Sequence, residues 1–199
     1  MSSSSKVMYP RKRKYIFKGD VMEKYHVRIK NADGSALLQH RFAGSAKTSA
    51  KKKGSVYDPD EEAQAALYLD EDGNHVEPAS HIEGALVKAG ATFKYQGRKT
   101  YKDMFRASLF VEPELIPLKS DGYEVDTRPA VVMRARIMRS RPIFKEWELE
   151  FTITNIADDQ VAGKSIKEIL EYAGTSVGIG DFRPKFGRFT VEEFKQIDA

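Results

Sequence analysis

The chain of 199 residues contains no cysteine. This absence excludes disulfide bonds, thiolate metal sites and a cysteine nucleophile, and it suits a reducing compartment. No stretch approaches the roughly 18 consecutive apolar residues that a membrane span needs. The basic start of the chain is not followed by the apolar stretch of a secretory signal. We therefore expect a cytoplasmic protein with no membrane partner.

The sequence also lacks the common signatures of catalytic and cofactor sites. It has no HExxH pair, no GxSxG elbow, no Walker phosphate loop and no dinucleotide fingerprint. Its four histidines are spread through the first half of the chain, which favours neither a zinc site nor any other metal site. We expect no cofactor, and any acid–base chemistry would use His40, His81 or Asp20.

A third absence is local, because residues 55–86 contain nine Asp/Glu and no Lys/Arg, whereas residues 1–54 contain 14 Lys/Arg and three Asp/Glu. Such a basic region suits phosphate binding. The alternative is a solvated basic tail that the acidic stretch compensates. Within it, residues 43–55 have no apolar side chain larger than alanine, so we predict a flexible basic loop that includes Lys51, Lys52 and Lys53.

What is present is typical of one globular domain over residues 1–199, with 41% hydrophobic and 31% charged residues. Three helices are predicted by caps and apolar stripes. The first follows Asp58-Pro59. The second runs from Pro78 to Gly97 with Ser80 as a cap, and the third spans 164–174 and ends at Gly174.

Alternating apolar and polar residues predict strands at 15–30, 107–118, 131–139, 146–154 and 188–194. We expect 131–139 and 146–154 to pair antiparallel across residues 140–145. The arginines of the first strand would then form ion pairs with the glutamates of the second. The order strand, helix, strand, strand, helix, strand predicts an α+β fold. It would be a ferredoxin-like or RNA-recognition-motif-like antiparallel sheet with helices on one face and insertions.

Residues 177–189, VGIGDFRPKFGRF, combine glycines, cations and phenylalanines between a helix and a strand. Glycines let the backbone approach a ligand, so peptide amides and arginines can reach phosphates. Phenylalanine rings offer faces on which unpaired bases stack. The stretch thus predicts binding of single-stranded nucleic acid. The alternative is a tight connection with the rings in the core and the arginines paired with carboxylates.

Two motifs resemble those of the RAMP superfamily, whose members include backbone subunits of CRISPR effector complexes. They are EPASHIEGALVK at 77–88 and GIGDFRPKFGRF at 178–189. The chain is also similar over most of its length to phage and prophage proteins that share the second ending, a likeness that implies no activity. The RAMP resemblance implies nucleic-acid contacts at Arg183, Lys185, Arg188, Ser80, His81 and the 43–54 segment. The composition of the loop adds Gly178, Gly180, Phe182 and Phe186 as expected contacts.

The expected function is therefore non-catalytic binding of single-stranded RNA or DNA in a bacterial or phage-infected cell. The resemblance further implies assembly into a homo-oligomer or filament. Two alternatives stay open. One is an endoribonuclease of the same fold that uses His40 or His81, and the other is a structural or regulatory phage protein with a protein partner. The acidic residues of 58–77 favour the protein partner.

Overall fold

The computed structural model describes residues 22–41, 57–132 and 135–198. The predicted basic loop at 43–55, with Lys51, Lys52 and Lys53, lies outside the described residues. Residues 1–21 of the basic region lie outside them as well. The flexible loop and the phosphate binding of these basic segments therefore stay predictions.

The described chain is a mixed α/β structure with antiparallel sheets and four helices. The helices are α1 (Pro59–Ala65), α2 (Ala79–Gly90), α3 (Tyr101–Ser108) and α4 (Gly163–Ser176). The strands are β1 (Glu23–Asn31), β2 (Leu37–Leu38), β3 (Val76–Pro78), β4 (Lys94–Gln96), β5 (Lys99–Thr100), β6 (Leu109–Glu112), β7 (Leu115–Lys119), β8 (Glu124–Val132), β9 (Ala135–Phe144), β10 (Glu148–Asn155) and β11 (Phe189–Ile197).

The main sheet has the order β11, β1, β10, β7, β3, and β6 also pairs with β10. Each of these pairs is antiparallel. Burial alternates along β1, where Tyr25, Val27 and Ile29 are buried and the residues between them are not. One face of the sheet is therefore covered and the other is open.

Helices α2 and α4 cover the buried face of the main sheet. Their apolar stripes follow the helical period, and the core residues Ile82, Leu86, Ile166 and Leu170 are at most 1% exposed. They pack with sheet residues in one cluster, and each such side chain contributes roughly 1.5–3 kcal/mol when it leaves water. The predicted stripes of the second and third helices are confirmed.

Two predicted helix boundaries are wrong. Helix α2 ends at Gly90, because the chain turns there and Gly97 instead occupies the turn between β4 and β5 with φ +60. Helix α4 continues past Gly174 to Ser176. Gly174 is needed for close packing, since a Cβ there would lie 2.2 Å from the carbonyl oxygen of Phe189. The predicted side-chain cap by Ser80 is also wrong, because Pro78 is the N-cap residue.

The predicted pairing of 131–139 with 146–154 is wrong as well. Strands β8 and β9 form a long hairpin in which Val131 lies opposite Arg136, and β2 adds to its other edge. Residues 133 and 134 between them lie outside the described part. Strand β10 instead lies between β1 and β6/β7 in the main sheet. The alternation predicts strand residues correctly, but the run at 131–139 is divided between β8, which ends at Val132, and β9, which begins at Ala135.

Candidate functional site

The stretch 177–189 connects α4 to β11 as a loop packed on β2. The amide of Asp181 donates to the Leu38 carbonyl at 2.7 Å, and that of Gly187 donates to the Ala36 carbonyl at 2.8 Å. Gly187 has φ +72, and a Cβ there would lie 1.8 Å from the Ile179 carbonyl oxygen. The glycine therefore permits a tight loop that leans on β2.

Gly178 and Gly180, which were expected to let the backbone approach a phosphate, lie against the protein's own chain instead. Both have positive φ, +71 and +72, as glycine allows. However, Gly178 is buried beneath the backbone of residues 186–187, and Gly180 faces the Leu38 carbonyl. The amide of Ile179 between them donates to Gly187. These close approaches are to the protein's own chain, so any phosphate contact depends chiefly on the side chains.

Three cations project from this loop into solvent. Arg183, Lys185 and Arg188 are all exposed. Among the residues that the structure describes, none of the three lies in an ion pair. The alternative in which these cations are paired with internal carboxylates is therefore not what the described chain shows. We call the exposed side chains of Phe182, Arg183, Lys185 and Arg188 the loop surface.

The phenylalanines of the loop divide into two kinds. Phe182 is 43% exposed, whereas Phe186 is 9% and Phe189 1% exposed. Phe186 packs with Leu38, and the Arg128 guanidinium lies 4.7 Å from its ring centroid. The expectation that Phe186 offers a ring face to a base is corrected, because packing and a cation cover that ring.

Asp181 collects two basic side chains beneath the loop surface. Its Oδ2 lies 2.9 Å from Nε of Arg141 and 3.4 Å from Nδ1 of His40. The hydrogen bond from His40 lowers the pKa of Asp181, burial opposes this, and the Phe182 amide and the Arg141 charge lower the pKa further. Arg141 is 6% exposed, so it is not available to bind a phosphate.

The other predicted motif, at 77–88, forms the start of α2 and lies beside this loop. Ser80 is exposed, and Nδ1 of His81 lies 2.5 Å from Oε1 of Glu77, a fully buried carboxylate. The buried Gln39 side chain donates to the other oxygen of Glu77 at 2.8 Å. Glu77 and His81 are four residues apart, so a single turn of the backbone brings their side chains into contact.

Residues 35–41 connect the two motifs. Leu38 accepts from Asp181 in the loop, and the next residue, Gln39, binds Glu77 at the start of α2. The amide of Tyr68 donates to Oε1 of Gln39 at 3.2 Å. Burial raises the pKa of Tyr68, the charges of Glu77 and Asp181 raise it further, and the charge of Arg41 lowers it. The structure thus brings together two motifs that are about 100 residues apart in the sequence. Gln39 was not singled out by sequence, because nothing marks an isolated glutamine.

The open face of the main sheet also carries cations, but they are paired. We use the name open face for the outward side chains of β1, β7, β10 and β11. Nζ of Lys119 lies 3.0 Å from Glu148 and 2.7 Å from Glu150. Arg28 lies 3.9 Å from Glu148, and Lys30 lies 3.2 Å from Glu192. Arg136, a predicted partner of Glu148 and Glu150, belongs to the hairpin instead, and Arg134 lies outside the described residues.

Within the described residues, no three side chains of the type that binds metals come together. No helix of the described chain is long and apolar enough to cross a membrane.

No family model matches the chain, and no curated protein matches it either. Among solved structures, it is similar to a chain in a cryo-EM structure of the Type III-B Cmr-beta bound to cognate target RNA. The identity is 13% and the TM-score 0.53. The likeness covers 89% of this chain and 61% of the other, so this chain spans less than two thirds of its neighbour's length. At this identity the likeness shows a shared fold.

Proposed function

We propose that this protein binds single-stranded nucleic acid, RNA or a single DNA strand, without cleaving it. The observation that carries the proposal is the loop surface, where Arg183, Lys185 and Arg188 are exposed with no ion-pair partner among the described residues and stand beside the exposed ring of Phe182. Unpaired cations attract phosphates through the release of counterions, and an exposed ring stacks on bases of any sequence.

The fold supports this proposal. We include a ferredoxin-like arrangement in the proposal, which the strand order β11, β1, β10, followed by β6 and β7, with α2 and α4 on one face, supports. The structural neighbour is a chain from an assembly described as bound to target RNA. We accordingly place the chain with RAMP-like proteins, and the basic residues before 22 and at 43–55, including Lys51, Lys52 and Lys53, would add phosphate contacts. The similarity to phage and prophage proteins is a further part of this proposal.

Ser80 and His81 would border the bound strand, since the 35–41 segment joins the start of α2 to the loop. Gly178 and Gly180 would act by shaping the loop. Little sequence readout is expected, because the proposed contacts are to phosphates and to one stacking ring.

Fluorescence anisotropy with a labelled single strand at low salt tests the proposal. We expect binding that weakens steeply as salt is added, and purified protein with a raised 260/280 nm absorbance ratio before a high-salt wash. Failure to bind any single-stranded RNA or DNA at low salt would refute the proposal.

We also propose that copies of the chain assemble side by side. The far end of the β8–β9 hairpin supports this, because Val131 is 71% and Met138 49% exposed, and their register places both on one side of the hairpin. Exposed apolar side chains that share one side of a hairpin favour contact with another protein surface. Light scattering after gel filtration should show a mass above that of one chain, and Val131→Asp should lower it.

A second candidate function is RNA cleavage by His81. The specific observation is that buried Glu77 orients the ring through Nδ1 and leaves Nε2 on a side chain that is partly exposed. A carboxylate-held histidine is a competent general base or acid. Labelled RNA should then yield products that disappear with His81→Ala. If the RNA stays intact after long incubation, cleavage is refuted and only the binding function stands.

The third possibility, a protein partner for the acidic stretch at 58–77, finds less support. Asp58 caps α1, Glu62 accepts from Arg139 at 2.6 Å, and Glu77 is buried against His81. Several acidic side chains of the stretch thus have internal partners.

A further inference from the structure

Phe182 has an unusual backbone. It is the only residue other than glycine with a positive φ, +56, in the part of the chain that the structure describes. A side chain in the left-handed region costs roughly 1–2 kcal/mol, and such a conformation persists only where surrounding contacts hold it. The ring is 43% exposed, so this cost is not offset by burying the phenylalanine in the core.

Phe182 is held by the turn of its own loop, where its carbonyl accepts from the amides of Lys185 at 3.1 Å and Phe186 at 3.4 Å, and by contacts from Asp181 and Arg141. The Asp181 amide is fixed to β2 through Leu38, and the Asp181 carboxylate accepts from the Phe182 amide at 2.9 Å. The same carboxylate lies 2.9 Å from Nε of Arg141. The guanidinium carbon of Arg141 lies 5.4 Å from the centroid of the Phe182 ring.

Arg141 is itself unusual, because it is a buried cation with unfinished hydrogen bonding. Among the described residues, its Nη1 has no acceptor, and its Nε does not point correctly at the nearby Asp181 oxygen. Burying a charge with incomplete partners is costly. An apolar residue in this place would avoid that cost, so packing alone does not account for Arg141. What Arg141 does have is the face of the Phe182 ring, to which a cation is attracted.

We infer that Arg141 and Asp181 are positioning residues that hold the Phe182 ring as a platform for stacking one unpaired base. The inference rests on the proposed binding of single strands and extends it to a defined contact. A guanidinium on the inner side of the ring leaves the outer face for the base, and Arg183 and Lys185 follow along the chain to meet the adjoining phosphates.

The first test compares two labelled strands of about ten nucleotides, an oligouridylate and a strand of the same length without bases. Phe182→Leu should bind the oligouridylate about tenfold more weakly than the unaltered protein does and the baseless strand equally well. Phe110→Leu, a change of another exposed phenylalanine, is the matched control and should change neither.

The outcomes of this test separate the two proposals. If the unaltered protein binds neither strand, the proposed function fails. If it binds but Phe182→Leu loses affinity equally for both strands, or for neither, the platform is overturned and the binding function stands.

The positioning role has a test of its own. With 4-fluorophenylalanine at position 182 only, addition of oligouridylate should shift the ¹⁹F resonance, whereas the baseless strand should not. In Arg141→Met and in Asp181→Asn, the shift should shrink while anisotropy still reports binding through the cations. The same label at position 110 should give one unchanged signal, which controls for folding. A full-size shift in either variant would overturn the assignment.

Discussion

The open face and the loop surface both present cations, but only the cations of the open face lie beside carboxylates that neutralise them. On the open face, Lys119 lies within 3.0 Å of two glutamates and Lys30 lies 3.2 Å from a third. On the loop surface, Arg183, Lys185 and Arg188 have no carboxylate at ion-pair distance among the described residues. A count of basic residues would not distinguish these two regions.

The difference follows from local structure. Neighbouring strands place side chains opposite or diagonal to one another at a fixed spacing, so the cations of β1 find glutamates on β10 and β11. A loop has no facing strand to supply such partners. The lesson is that a cationic loop is a better candidate for phosphate binding than a cationic sheet face, and the predictions below test that lesson.

The largest effect on stability is expected from a substitution that the tightly packed loop cannot accommodate. Gly187→Ala puts a Cβ 1.8 Å from the Ile179 carbonyl oxygen at φ +72, so we expect a loss of more than about 3 kcal/mol in the free energy of unfolding. Gly97→Ala is the control, since it has φ +60 but no atom within 4 Å, and should cost only about 1 kcal/mol. Equal losses in urea denaturation would show that the loop is not tightly packed.

The next effect concerns the cations of the loop surface. Replacing Arg183, Lys185 and Arg188 together by glutamine should weaken binding of a single strand by about tenfold to hundredfold near 0.1 M salt. It should also reduce the slope of log affinity against log salt by about two, because each lost phosphate contact on a single strand removes about 0.7.

The matched control is the triple replacement of Arg28, Lys30 and Lys119 by glutamine on the open face. These cations are already neutralised, so anisotropy should show a change of less than about threefold and nearly the same salt slope. A larger loss from the open face than from the loop surface would reverse our comparison.

A smaller effect is expected from freeing cations on the open face. Glu148→Gln combined with Glu150→Gln removes the partners of Lys119 and leaves Arg28 with Glu193 alone. We expect affinity for a single strand to rise about twofold to fivefold at low salt, with a steeper salt slope. No rise would mean that the strand does not approach this face even when it is cationic.

The smallest effect is on pH-dependent stability. The pKa of Asp181 is lowered, chiefly by His40, so its contribution to stability is present above the ordinary value of 3.8 and is lost as pH falls through the lower folded pKa. Near neutral pH, Asp181→Asn should therefore lower the free energy of unfolding by about 1 kcal/mol. Denaturation curves should show this difference shrinking below about pH 4, and a difference that grows in acid would contradict the ion pair.

Much of the fold could be predicted because periodicity is a local property. The apolar stripe through Ile82 and Leu86, and that through Ile166 and Leu170, identified the two helices that cover the sheet. The pairing of β8 with β9 was missed because the strand alternation runs on from Val131 to Ile137, although β8 ends at Val132 and β9 begins at Ala135. Residues 98–106, which hold β5 and most of helix α3, carried too few apolar residues to be assigned.

The candidate site was predictable in part. The loop cations were identified from composition, and their exposure agrees with that interpretation. The burial of Phe186 and the position of Arg141 under Phe182 were not predictable, since both depend on contacts between β8–β9 and a loop about 40 to 60 residues later. No local pattern records which of several phenylalanines a hairpin will cover.

Photocrosslinking maps the contact most directly. A single-stranded oligonucleotide carrying 4-thiouridine would be bound at low salt, irradiated, and the attached peptides identified by mass spectrometry. We predict crosslinks within residues 182–188. A bound strand that attaches to β1, β10 or β11 on the open face and never to 182–188 would contradict the central claim.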